Sequence, residues 1–213
     1  MSASMATIHI LRHGEARHNV VKPYPYRDPS LTGDGIRQAE KVLLPAKPDL
    51  IIVSPMTRTI QTTLVAFRQF LDESSAPAKT EVQIWPELRE AHDAICNKGV
   101  GRAEIAAAFP QFDFSSCPEE WDYPPHSVEG ATLRAETVRR RLMNLSASYE
   151  NIFLVTHRGL IAFLVEGPRF DVCECRSYRF ASADEVENQR YGTHEHTGDK
   201  LDFGPSLLVP LSS

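Results

Sequence analysis

Short apolar runs alternate along the chain with stretches of helical periodicity. Residues 7–11, 49–53 and 151–156 are nearly unbroken apolar segments, the pattern of strands buried on both faces. Residues 82–85 and 176–181 are further strand candidates. Thr32-Gly33-Asp34-Gly35 opens a helix that runs to about Leu44, where Pro45 closes it. Ser54-Pro55-Met56-Thr57 is a second N-terminal helix signal, and that helix continues to about Leu71. Residues 102–109, 129–145 and 159–165 complete the helical set, and 72–79 read as a linker. Strands alternating with helices predict an α/β fold. The expectation is one three-layer α/β/α domain over residues 1–213, with a mostly parallel sheet flanked by helices.

Three stretches fall outside the alternation. Residues 16–30 place Pro23, Pro25 and Pro29 around Tyr24 and Tyr26 and must form a loop. Residues 91–128 are rich in proline, aromatics and acids and read as a lid-like excursion over the sheet end. Residues 184–213 read as a C-terminal tail.

Charge and cysteine content narrow the function. Hydrophobic residues at 42% and charged ones at 24% are ordinary for a globular chain. A net charge of −5 supplies no general basic field for nucleic acid or an anionic membrane, so any anion must be held by a few locally placed cations. No apolar stretch is long enough to span a bilayer, and residues 1–7 lack the basic-then-apolar order of a signal peptide. Cys96, Cys117, Cys173 and Cys175 are too few for a disulfide framework, and the single residue between the last two is poor spacing for zinc. They read as reduced thiols of a cytoplasmic protein. Oligomeric state is not legible.

The chemistry gathers at three strand ends. The first delivers Arg12 and His13, the second Ser54 and then Arg58 one turn into its helix, and the last parallel strand Thr156, His157 and Arg158. Strands of one parallel sheet end at one edge, so these residues converge in one crevice. Two arginines and two histidines around a point repel one another unless an oxyanion joins them, and a phosphoryl group fits best. The arginines disfavour the imidazolium form of His13 and so prepare a neutral nucleophile. Its other ring nitrogen needs an acceptor, for which the Gly14 carbonyl is a candidate. The leaving oxygen needs a proton, and Glu90 or Glu87 after the third strand could supply it.

The chain resembles the histidine phosphatase superfamily, which includes the cofactor-dependent phosphoglycerate mutases and the fructose-2,6-bisphosphatases. The resemblance rests on Leu11-Arg12-His13-Gly14-Glu15, Asn19, the segment 31–39 around Thr32-Gly33-Asp34-Gly35, and Ser54-Pro55-Met56-Thr57-Arg58 with the residues to Thr62. Glu87-Leu88-Arg89-Glu90 and Val155-Thr156-His157-Arg158-Gly159 complete it. It covers residues 8 to about 165. It implies a metal-independent phosphomonoesterase without cofactor, acting on a small phosphorylated substrate. His13 would carry the phosphoryl group, with Arg12, Arg58 and His157 as its clamp. Asn19 would add a hydrogen bond, and Glu90 would be the proton donor, with Glu87 a supporting carboxylate. Two departures stand out. The last motif usually reads His-Gly, so Arg158 either reaches the pocket and favours a second anionic group or points to solvent. The segment after Glu90 lacks the Tyr-Gly pair and insertion of the mutases, which makes a phosphomutase the alternative rather than the first reading. A non-catalytic phosphate-binding module is the second alternative.

Other polar residues have plainer readings. His9, inside an apolar strand, reads as a satisfied core histidine. His18 is equally a site residue or a solvated loop residue, and His92 a loop residue. His194-Glu195-His196 has the wrong spacing for a helical metal pair and reads as solvated tail. Arg134, Arg139, Arg140 and Arg141 read as the solvated face of a helix. Ser127 and Glu129 are candidates for the pocket edge, Gly14 for ligand clearance, and Glu15 for a structural role.

Overall fold

The computed structural model describes residues 6–72, 80–122, 127–195 and 197–211. Its strands are β1 (Thr7–Arg12), β2 (Leu50–Val53), β3 (Glu81–Ile84), β4 (Asn151–Thr156), β5 (Cys175–Phe180), β6 (Tyr191–Thr193), β7 (Lys200–Asp202) and β8 (Leu208–Pro210). Its helices are α1 (Arg17–Val20), α2 (Gly33–Glu40), α3 (Thr57–Ala66), α4 (Arg68–Leu71), α5 (Arg102–Ala108), α6 (Val128–Leu145), α7 (Arg158–Leu164) and α8 (Ala183–Gln189). Six strands form one sheet in the order β3-β2-β4-β1-β5-β8. β3, β2, β4 and β1 are mutually parallel, and β5 runs antiparallel to both β1 and β8.

Side-chain alternation makes this sheet the middle of three layers. Ile8, Ile10, Leu50, Ile52, Ile152 and Leu154 enter one core with α6 and α7. Leu11, Ile51, Val53, Phe153 and Val155 enter the other, with Met56, Ile60 and Phe67 around α3. Both faces are covered, which is why the central strands are apolar throughout. His9 is the exception the sequence flagged. Its Nδ1 bonds Ser177 Oγ at 2.8 Å, its Nε2 bonds Asn151 Oδ1 at 3.2 Å, and its ring stacks on Phe153.

Several expectations need correction. The helix expected to reach Leu44 ends at Glu40, because Pro45 has no N–H to donate and its ring clashes with the carbonyl four residues earlier. The helix expected to reach Leu71 breaks at Phe67, which is buried and packs edge-on against Phe153. The stretch read as a tail contributes α8, the β6–β7 pair and β8, which closes the main sheet on β5. Phe203, Leu207 and Leu208 of that stretch belong to the first core, burial too extensive for a tail. Arg139 is fully buried, pairing with Glu136 and donating to the carbonyls of Phe163 and Leu164, where it caps the last turn of α7. Arg134 donates to the carbonyls of Glu87, Arg89 and Glu90. Neither belongs to a solvated face. Most of the expected linker 72–79 and the end of the 91–128 excursion lie outside the described residues.

No helix among the described residues is long and apolar enough to cross a membrane. All four cysteines are free.

Candidate active site

Register brings the strand ends together. Arg12 lies opposite Thr156 and Val53 opposite Val155, so β1, β4 and β2 finish side by side. The His13 amide donates to Thr156 O at 3.1 Å and the Ser54 amide to Val155 O at 3.1 Å, which continues the ladder one residue past each strand. Arg12, His13, Ser54, Arg58 and His157 are all buried there.

His13 is held in one tautomer. Its Nδ1 donates to the Gly14 carbonyl at 2.7 Å, one of the candidate acceptors, and Arg58 Nε donates to its Nε2 at 3.3 Å. Nε2 therefore keeps its lone pair. Burial, with Arg58 and Arg12 close by, holds the ring well below the ordinary imidazole range. His157 sits 5.2 Å from His13, centroid to centroid. Its Nε2 bonds Ser54 Oγ at 2.9 Å, and burial with Arg58 likewise keeps it neutral. Its Nδ1, together with Arg12 Nε and His18 Nδ1, is buried with no hydrogen-bond partner in the protein. Buried polar atoms are rarely left so, and Arg12 and His18 also line the cleft beside His13, where a ligand could meet them.

Arg58 is fixed by groups that sequence reading missed. Its guanidinium donates to Cys96 O at 3.2 Å and to Asn97 Oδ1 at 3.1 Å, and Asn97 in turn donates to His92 O at 2.8 Å. The segment after Glu90 thus folds back to hold the arginine. Asp28, from the 16–30 loop, accepts from the Thr57 amide at 2.9 Å and the Thr57 hydroxyl at 2.7 Å, and so caps the helix that carries Arg58. A lone Asp between Pro25 and Pro29 carries no such signal. Arg12 donates to Phe170 O at 2.7 Å, and burial with Arg158 nearby lowers its guanidinium to about 10.

Glu90 reaches the same place from the far edge of the sheet. After β3 a single 3₁₀ turn, Pro86–Leu88, carries the chain across. The Glu90 carboxylate accepts from the amides of Ala91 at 2.7 Å, Gly159 at 3.3 Å and Leu160 at 3.1 Å, at the start of α7. A Cβ on Gly159 would stand 2.2 Å from Glu90 Oε1, so this close approach requires glycine.

The cleft above these groups measures about 490 Å³. Arg12, His13, His18, Asn19, Glu90 and Arg158 line it, so Arg158 reaches the pocket rather than pointing to solvent. Asn19 also accepts from the Ala16 amide at 2.9 Å. His18 lies 5.8 Å from His13 and is pushed down to about 3 by burial and the surrounding cations.

Other expected roles change. Glu87 pairs with Arg141 at 3.1 Å, away from the cleft, and supports no chemistry there. Ser127 caps α6 by accepting from the Gly130 amide, and neither it nor Glu129 lines the cleft. A Cβ on Gly14 would lie 2.8 Å from Gly35 O, so its clearance serves backbone packing rather than a ligand. Glu15 accepts from the Thr32 hydroxyl at 2.7 Å, a structural role. His194 is buried against Phe163 and so is not solvated tail; Glu195 is exposed and pairs with Arg169 at 3.4 Å, and His196 lies outside the described residues.

The family model of the histidine phosphatase superfamily, branch 1, matches residues 8–168. The chain belongs to this superfamily. A protein of Schizosaccharomyces pombe named as a probable phosphatase is 28% identical over 164 residues, covering 72% of this chain and 74% of the relative. A phosphoglycerate mutase-like protein of Arabidopsis thaliana is 26% identical over 211 residues, covering 79% and 76%. Among solved structures, the alpha-ribazole phosphatase from Shigella flexneri aligns with a TM-score of 0.58 at 22% identity, covering 83% of this chain and 91% of that one. At that identity the structural likeness shows the fold, a histidine phosphatase fold that agrees with the six-stranded sheet described above.

Proposed function

We propose that this histidine phosphatase hydrolyses small phosphomonoesters through a covalent phosphohistidine at His13. The observation that carries this reading is the state of the His13 ring. Burial and the two arginines hold it toward the neutral form, with Nδ1–H tied to Gly14 O and the Nε2 lone pair facing Arg58 Nε. Arg58 on the His13 ring, His157 beside it and Arg12 in the cleft lining would hold the equatorial phosphoryl oxygens, with Asn19 as a further donor at the edge. Nε2 attacks phosphorus in line; the N–P bond forms as the ester P–O bond breaks. The leaving oxygen takes a proton from the Glu90 carboxyl. Glu90 then takes a proton from water as that water attacks phosphorus, and inorganic phosphate leaves His13. No step calls on a metal or cofactor. The four free thiols suit a reducing compartment, the cytoplasm.

The segment where the mutases carry their insertion is short here and holds Arg58 through Asn97, which supports the hydrolase reading over the mutase. The test is turnover of an aryl phosphate with a chelator present, and quenched-flow capture of an acid-labile phosphoenzyme. Turnover is expected in wild type and lost, together with the phosphoenzyme, in His13→Ala. Retention of the wild-type rate by His13→Ala would overturn the mechanism. Glu90→Gln should slow alkyl phosphates about 10²- to 10⁴-fold and aryl phosphates far less, because aryl leaving groups need little protonation. Equal losses on both would remove Glu90 from the acid role. A phosphoenzyme that decays in seconds marks a hydrolase; one that persists much longer marks a mutase.

A further inference from the structure

The proton donor of the proposed reaction stands on a stretch without regular structure. Beyond the 3₁₀ turn Pro86–Leu88 the chain is neither helix nor strand until Ile95, yet Glu90 is buried. Four consecutive carbonyls of this stretch are nevertheless satisfied, all by side chains from distant elements. Arg134 of α6 donates through Nη1 to Glu87 O and Arg89 O, both at 2.8 Å, and through Nη2 to Glu90 O at 3.3 Å. Thr156, the last residue of β4, donates its hydroxyl to Leu88 O at 2.8 Å. Two helical turns on, Arg141 bonds the Glu87 carboxylate at 3.1 Å, and its guanidinium lies 3.6 Å from the centre of the Trp85 ring.

A carbonyl removed from water must find a donor, and a stretch outside helix and sheet has no ladder to supply one. A guanidinium presents its N–H donors in a rigid fork, so one arginine can hold three carbonyls in fixed relation. The arrangement opposes the charge it uses: burial and the nearby Arg89 lower the Arg134 guanidinium to about 9. An apolar side chain would fill the space without that opposition, but it would leave three carbonyls unpaired and the stretch free to shift. What Arg134 fixes is the backbone beneath Glu90. The other end of that residue, its carboxylate, accepts from the amides of Ala91, Gly159 and Leu160. Glu90 is thus gripped at its carbonyl and at its carboxylate, beside the cleft.

We propose that Arg134 is a positioning residue for Glu90. By bridging the carbonyls of Glu87, Arg89 and Glu90 it sets where the carboxyl meets the leaving oxygen, and Thr156 does the same at Leu88. The proposal takes from the phosphatase reading only the role of Glu90 as acid and then base. Arg134 is not among the residues that line the cleft, so its influence runs through the backbone of residues 87–90. Its loss should slow the steps that use Glu90 and leave phosphate binding alone.

The test uses the full chain and compares ethyl phosphate with 4-nitrophenyl phosphate, whose leaving group needs little protonation. Arg134→Met should lower kcat on ethyl phosphate about 10²-fold, the scale of a one-ångström misplacement, with KM within about twofold. The first turnover of 4-nitrophenyl phosphate should stay near wild type. Because Glu90 also activates water, that ester should then show a burst of nitrophenol followed by slow turnover. Arg134→Lys keeps the charge without the fork and should recover part of the ethyl phosphate rate. In the Glu90→Gln background Arg134→Met should remove nothing further on ethyl phosphate, since both changes act through one carboxyl. Equal losses on the two esters, losses that add to those of Glu90→Gln, or no loss at all would overturn the proposal. Amide hydrogen exchange at Gly159 and Leu160 reports the placement of the carboxylate without turnover. If Glu90→Gln slows both esters alike while Arg134→Met still loses protection at these amides, the positioning stands and the acid role of Glu90 falls. Unchanged protection in Arg134→Met would overturn the positioning. Should that variant not fold, Thr156→Val removes only the bond to Leu88 and carries the same readings at smaller size.

Discussion

At the floor of the cleft, Arg12, His13, Ser54, Arg58 and His157 are buried and cross-linked, each leaving a strand end or the first turn beyond one. At its mouth, Lys22 and Arg169 are exposed and come from connecting segments, and among the described residues Arg169 has one ion-pair partner and Lys22 none. The floor is rigid because strand register sets the spacing of its atoms, and the sheet cannot shift one residue without moving every side chain to the wrong core. The mouth is positioned by loops, which tolerate change. The proposed phosphoryl transfer, which demands fractions of an ångström, draws on the first. Arg158 joins the two: it is the residue after a floor histidine, yet its side chain lines the mouth.

The comparison can be broken most directly at the floor. His13→Ala should lower kcat by roughly 10⁴-fold or more, as loss of a covalent nucleophile does, with the fold retained by circular dichroism. Gly159→Ala comes next. Its Cβ would stand 2.2 Å from Glu90 Oε1 and push the carboxylate from its three amides. The expected loss is about 10²-fold on alkyl phosphates, the scale of a one-ångström misplacement, and much less on aryl phosphates. An equal loss on both would mean that the helix start, not the acid, had moved. Asn97→Ala removes one acceptor from Arg58 and should cost about 10-fold in kcat/KM. Since Asn97 belongs to a loop, no effect there would show that the floor stands without help from the excursion.

The smallest effect concerns pH. His18 is held down to about 3 in the folded chain by burial and nearby cations, against 6.5 when unfolded. Between those values the unfolded chain binds the extra proton, so stability falls as pH drops from 6.5 toward 3. His18→Gln should flatten the fall in Tm between pH 7 and 4. His13 is lowered for the same reason, so kcat/KM should show no acid limb at an ordinary imidazole pKa.

Most of the floor was legible from sequence because apolar runs locate buried parallel strands, and parallel strands end together. Arg12, His13, Arg58 and His157 are placed that way; the choice of Glu90 over Glu87 comes from the family resemblance, and the Gly14 carbonyl is only one candidate partner of the His13 ring. The buried arginines of α6 were not placed, although a signal existed. Arg139 lies four residues after Ala135 and three before Leu142, on the apolar stripe of its helix, where a solvated side chain does not belong. Arg134 and Arg141 are seven apart and both turn toward the Glu87–Glu90 segment, one through carbonyls and one through an ion pair. The strands after residue 190 are illegible in the sequence because each is three residues long, too short for periodicity to register.

The sequence by itself determined which strands are buried on both faces and which chemically able residues stand at their ends, because hydrophobic alternation and strand direction are local properties. Only the tertiary structure decided what those residues touch. Asp28 capping the helix of Arg58, Asn97 reaching back to its guanidinium, Gly159 admitting the Glu90 carboxylate and Arg158 turning into the cleft are contacts between segments distant in the chain. Such contacts follow from how the layers pack, and no window of neighbouring residues carries that information.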